Sequence, residues 1–133
     1  MQVVAATTVT STVTTSSSYV ATNLAASITP SLASSRVLVL LSGVGDIGTS
    51  GNEVEYSLFR NASNIITGGG SLFANHYNSN ARDQTQITYN YLDSPSSTSS
   101  LEYKVYFKSV GSVTSTFVGE TATASIILLE IGA

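Results

Sequence analysis

Apolar residues recur at every second position along most of this chain. Leu101, Tyr103, Val105 and Phe107 alternate with Glu102, Lys104, Tyr106 and Lys108. That is the pattern of a strand with one face on a core and the other toward water. Val54, Tyr56 and Leu58 alternate with Glu53, Glu55 and Ser57, and Ile87, Tyr89 and Tyr91 with Gln86, Thr88 and Asn90. Val37 to Leu41 is continuously apolar, and Ser125 to Ile131 reads likewise; such runs predict central strands covered on both faces. No stretch carries a 3.6-residue apolar stripe, so no helix is expected.

Turn chemistry separates these runs. Gly43 to Asn52 reads as a Gly-rich loop, Arg60 to Asn64 as a tight turn, and Gly68-Gly69-Gly70 as a break. Asp93 to Ser100 reads as a polar loop in which Pro95 stops a ladder, and Gly111 and Gly119 close later hairpins. The pattern predicts an all-β antiparallel sandwich or barrel of about eight to ten short strands. Residues 1–30 form a distinct stretch: Thr7 to Thr15 is rich in β-branched residues and uncharged, with no Pro before Pro30. An exposed edge strand normally carries charge or Pro. The stretch is therefore expected to be an extended β arm packing on its own or a neighbouring subunit, with Val3, Val9, Val13, Tyr19 and Ile28 as assembly contacts, and residues 31–133 to form the main domain.

Composition narrows the function classes. The chain has 133 residues, 10% of them charged, with 23 Ser, 17 Thr, one His and no Cys. No disulfide, thiolate metal site or thiol nucleophile is available. A net charge of −3 with five cations argues against nucleic-acid binding, which needs a basic patch. The first 35 residues hold no charged side chain, so the basic n-region of a signal peptide is missing. The longest strictly apolar run, five residues from Val37 to Leu41, falls far short of the roughly 20 of a membrane helix. The expectation is a soluble protein made in the cytoplasm, without membrane insertion.

Candidate chemistry is sparse. Glu53 and Glu55 share one face of a strand, and paired carboxylates serve glycoside hydrolysis, but a solvated strand face explains them better. Asp46, Asn52 and Glu53 flank the Gly-rich loop without the alternating spacing of a Ca²⁺ loop. Gly43, Gly45 and Gly48 match Gly-x-Gly-x-x-Gly, yet a strand pattern follows where the phosphate-binding helix would have to start. Asn61-Ala62-Ser63 matches a glycosylation sequon and reads as a turn. His76 sits in a loop-like, Asn- and Tyr-rich stretch with no placed nucleophile. No catalytic residue, metal site or cofactor is expected. Asp46, Asn52, Asn75, His76, Tyr77, Asn80 and Arg82, with the segment Ser94 to Ser100, are candidate surface-contact residues, since Tyr and Asn provide contact area and adaptable hydrogen bonds.

Five stretches in order carry a resemblance: Gln2-Val3-Val4 with the run to Thr15; Ile28-Thr29-Pro30 with Ser34-Ser35-Arg36-Val37-Leu38-Val39; Tyr56-Ser57-Leu58-Phe59-Arg60; Leu92-Asp93-Ser94-Pro95 with Tyr103-Lys104-Val105; and Ser125 to Ile131. Together they resemble a β-rich module of tailed-bacteriophage virion proteins, known mostly from tail-fibre proteins of phages of cyanobacteria and marine bacteria. The resemblance implies a trimeric jelly-roll and no catalysis. The module here starts at Met1 without a shaft or coiled-coil heptads before it, so attachment is expected through the folded domain or its arm. Low charge and continuous apolar strands likewise favour self-association. The expectation is a homotrimeric capsid decoration (cement) protein on the virion exterior, partnered by itself and by the major capsid protein or tail components. The alternative is a tail-fibre or receptor-binding tip that contacts a host surface glycan or protein.

Overall fold

The computed structural model describes residues 1–48, 52–70, 72–78, 83–118 and 122–132. Among them the chain is all-β, with two antiparallel sheets and no helix. The strands are β1 (Val3–Thr8), β2 (Thr12–Thr14), β3 (Val20–Ile28), β4 (Arg36–Ile47), β5 (Asn52–Arg60), β6 (Ser63–Asn64), β7 (Ala74–Asn78), β8 (Asp83–Asp93), β9 (Leu101–Ser109), β10 (Ser115–Phe117) and β11 (Ala124–Ile131).

Eleven strands make eight rows, because three rows are interrupted. β8 pairs with β4 from Val37 to Ile47. β11 pairs with Arg36 to Ser42 and β10 with Gly45 to Ile47, so β10 and β11 share the opposite edge of β4. β1 and β2 continue one row beyond them. In the other sheet β9 takes one edge of β5, and β6 and β7 share the other; β3 flanks β9. Numbering rows along the chain, the six-stranded sheet runs first, eighth, third, sixth. The five-stranded sheet runs second, seventh, fourth, fifth.

Alternation then fixes the core. Val37, Val39, Leu41, Ile126 and Leu128 point inward from the six-stranded sheet, and Leu24, Ile28, Val54, Leu58, Tyr103, Val105 and Phe107 from the five-stranded sheet. They form one buried cluster, as two apolar faces packed together must. The continuous runs differ from the expectation: Leu38, Leu40, Ile127 and Leu129 alternate outward and are only half-buried, so nothing among the described residues covers the second face of those strands. β3 carries a bulge between Ala21 and Ala25. There the Thr22 hydroxyl donates to the Val105 carbonyl at 2.8 Å and accepts from the Leu24 N–H at 3.1 Å, replacing the lost ladder bonds.

The Gly-rich stretch is corrected by the structure. Gly43 and Gly45 lie inside β4, not in a loop. A Cβ on Gly43 would sit 2.6 Å from the Phe117 ring, and one on Gly45 would sit 1.9 Å from the Tyr56 hydroxyl. The glycines make room for two core aromatics brought in from other strands. By contrast, the Arg60–Asn64 turn is as read: Asn61 and Ala62 both have positive φ, 47° and 65°, the backbone of a two-residue hairpin turn.

Candidate functional site

Polar chemistry concentrates at one end of the sandwich. Val37 on β4 pairs with Asp93 on one side and Glu130 on the other. Both carboxylates stand on the inward-facing phase of their strands and are buried, at 7% and 3% exposure. Asp93 Oδ2 accepts from Arg60 Nη1 at 2.5 Å and from the Tyr103 hydroxyl at 2.6 Å, so this cluster ties β8 to β5 and β9 in the facing sheet. Burial, then the adjacent Asp93, push the Tyr103 hydroxyl pKa up. Glu130 Oε1 accepts from the Ser31 N–H at 2.7 Å, the Ser31 hydroxyl at 2.5 Å and the Ser35 hydroxyl at 2.8 Å. The two Ser31 bonds, then Ser35, hold its pKa down to about 2. The Glu130 N–H donates to the Gln2 carbonyl at 2.8 Å. Among the described residues no group of three or more His, Asp or Glu side chains is placed to hold a metal, and no pocket is found.

The sequence candidates are scattered. Asp46 is not on a surface loop: it lies in β4, is 6% exposed, and accepts from Gln84 Nε2 at 3.1 Å. The strand runs to Ile47 because the glycines before it admit Phe117 and Tyr56. Asn52 begins β5, half-buried. Asn75 and Tyr77 face outward on β7, with Tyr77 62% exposed. His76 faces inward between them. Its Nε2 lies 3.0 Å from Asp83 Oδ2, and its Nδ1 is buried without a hydrogen-bond partner among the described residues. A carboxylate only accepts, so the proton of this contact sits on Nε2. Asn80 and Arg82 lie outside the described residues. Ser94 to Ser100 is a loop between β8 and β9.

The arm residues divide. Val3, Val9 and Val13 are exposed, at 54%, 72% and 58%, along the row that pairs with β10 and β11 of the same chain. Tyr19 packs edge-on to Phe59, with ring centroids 5.6 Å apart. Ile28 is 1% exposed and belongs to the core, because β3 is an integral strand of the five-stranded sheet; its side chain is not open to a neighbour.

The two outward faces differ in chemistry. On the five-stranded sheet Phe59 stacks on Tyr106 at 3.9 Å, and Lys108 lies 4.9 Å over the Tyr19 ring. Lys108 pairs with Glu55 at 2.8 Å and Lys104 with Glu102 at 3.1 Å. Glu53 accepts from Asn75 Nδ2 at 2.6 Å. The Glu53–Glu55 pair is thus part of a hydrogen-bonded solvent face, with Glu55 paired to a cation and Glu53 to an amide. The outward face of the six-stranded sheet is apolar and hydroxyl-bearing instead.

The buried carboxylates escaped the sequence reading, although a signal was present. Tyr89, Tyr91, Asp93 and Ile126, Leu128, Glu130 each continue an inward phase. A carboxylate on that phase must find donors inside the fold. No family model matches this chain, and no curated protein matches its sequence.

Proposed function

We propose that this protein is a structural component of a tailed-phage virion: a homotrimeric jelly-roll that decorates the outside of the capsid and stabilises the shell. The observation that carries this reading is the row order. Rows first-eighth-third-sixth facing second-seventh-fourth-fifth are the pairing expected when an eight-row hairpin is rolled up as a jelly-roll, the fold the resemblance implies. The polar residues of the resembling stretches support the same reading, because they lock one end of the sandwich. In this role trimers sit where capsomers meet, and the exposed part of the 1–30 segment reaches neighbouring subunits. Added buried area then resists internal pressure.

The test is localisation on virions with a gold-labelled antibody against the protein. Label spread evenly over the head is the expected result. Label confined to the tail would favour the second reading, a fibre tip, for which the exposed Tyr77 beside Asn75 offers a recognition surface. Absence of label on intact particles would overturn both.

A further inference from the structure

We infer that copies of this chain meet through the outward face of the six-stranded sheet, an inference that rests on the self-assembly in the reading above. The register lays out that face line by line. Val3 pairs with Leu129, Leu129 with Leu38, and Leu38 with Leu92. These four outward side chains form one apolar line across all four rows. The next line is Ala5, Ile127, Leu40 and Asn90. The third is Thr7, Ser125, Ser42 and Thr88, all hydroxyls, with Ser42 and Ser125 3.0 Å apart. Val3 and Leu92 are 54% and 45% exposed, and the leucines and isoleucine between them are half-exposed.

Area and charge point to a second copy as the occupant. Four rows at about 4.8 Å and a span of eight residues at about 3.3 Å give a flat face on the order of 500 Å². Side-chain relief enlarges this area, which in a trimer each copy shares between its two neighbours around the three-fold axis. An apolar patch bordered by polar groups is the anatomy of a subunit interface; here hydroxyls border the apolar lines on one side and Arg36 on the other. Between Arg36 at one end of β4 and Asp46 at the other, the described residues of this face carry no charge. A partner recognised electrostatically would find nothing to complement. A second copy would find the same chemistry without like-charge repulsion. The paired charges Glu55–Lys108 and Glu102–Lys104 all sit on the opposite side of the sandwich, where they stay solvated when the apolar faces meet.

Analytical ultracentrifugation of the full chain tests this, comparing wild type with Asn90→Lys, Leu92→Lys and their combination. Both positions are exposed, so the variants place charge on the face without opening the core; circular dichroism and urea unfolding check the fold. Ser27→Lys, exposed on the outward side of β3, is the control. The expected result is an assembled wild type and control, with the double variant folded and monomeric. Its half-assembly concentration should rise at least about a hundred-fold, as burial of unpaired like charges demands. An assembled wild type whose double variant stays assembled would overturn the face and leave the trimer reading standing. A wild type that stays monomeric would overturn both, leaving the apolar face to a partner of different sequence.

Discussion

Asp93 and Glu130 flank Val37 on a single line of the six-stranded sheet, and they are held in opposite ways. Asp93 faces a guanidinium and a phenol delivered by the other sheet. Glu130 accepts its hydrogen bonds from neutral donors, an amide and two hydroxyls, in the segment between β3 and β4, and the N-terminal ammonium acts on it only through space. A buried carboxylate needs donors, but not a cation. The ionic cluster bridges the sheets, whereas the neutral one ties a connection to the chain's last strand. Both fix strand ends directly beneath the apolar line of Val3, Leu129, Leu38 and Leu92. The end of the molecule where Asp93 and Glu130 cross-tie the strands thus carries the face inferred to meet a second copy.

The largest effect should come from removing the charged member. Asp93→Ala leaves the Arg60 guanidinium and the Tyr103 hydroxyl without their acceptor. Breaking a buried pair costs roughly 3–5 kcal/mol. Arg60 is 27% exposed at its side chain, so water takes up part of its charge, and we expect about 3 kcal/mol in urea unfolding at neutral pH. Replacing the whole cluster, as in Asp93→Leu with Arg60→Met and Tyr103→Phe, should recover most of that loss, because no orphaned group remains. A triple variant as unstable as Asp93→Ala would mean that packing, not pairing, sets the cost.

Much of this arrangement was legible in the sequence, and the exceptions have physical causes. Alternation along 54–58 and 101–107 identified strands and their inward faces, because period two is a local property. The shared rows were not legible: that β10 and β11 occupy one edge of β4 depends on pairings far apart in sequence. Gly43 and Gly45 looked like a loop, since the reason for them is the bulk of Tyr56 and Phe117 arriving from elsewhere. The run Val37 to Leu41 showed that both faces are apolar, but not that the described residues leave the outward one uncovered. Asp93 was read as the start of a loop, although it continues the phase of Tyr89 and Tyr91. Glu130 likewise continues the phase of Ile126 and Leu128. Reading polar exceptions by their phase, rather than by polarity alone, would have located both clusters.

Acid titration sharpens the contrast. Glu130 has its pKa lowered from 4.5 to about 2 in the folded protein. A carboxylate depressed in this way stabilises the fold above its unfolded pKa, and that stability is lost as pH falls through the folded value. Wild type should therefore lose stability between pH 4.5 and about 2. Glu130→Gln should be less stable than wild type at neutral pH, and the difference should close across that window. Urea midpoints measured at several acidic pH values check this. A gap that persists unchanged to pH 2 would assign the Glu130 contribution to shape rather than charge.

The smallest expected effect lies at the opposite end of the pH scale. Tyr103→Phe removes one donor from Asp93 but leaves the Arg60 contact, so no acceptor is stranded. The loss at neutral pH should be about 1–1.5 kcal/mol, one hydrogen bond to a charged group. Its pH signature is the informative part. The Tyr103 hydroxyl is raised above its ordinary pKa of 10.0, first by burial and then by Asp93. A phenol raised in the fold contributes stability that is complete below pH 10 and drains away as pH climbs toward the folded value. Wild type should weaken on the alkaline side, and Tyr103→Phe should weaken less steeply there. Tyr56, whose hydroxyl is also pushed up by burial and then by Asp46, retains part of the slope in both proteins. Glu130→Gln should leave that alkaline limb untouched, just as Tyr103→Phe should leave the acid limb intact. Two carboxylates on one line would then be separated by pH alone. A Tyr103→Phe curve parallel to wild type above pH 10 would mean that the phenol is held by packing, with Arg60 alone answering Asp93.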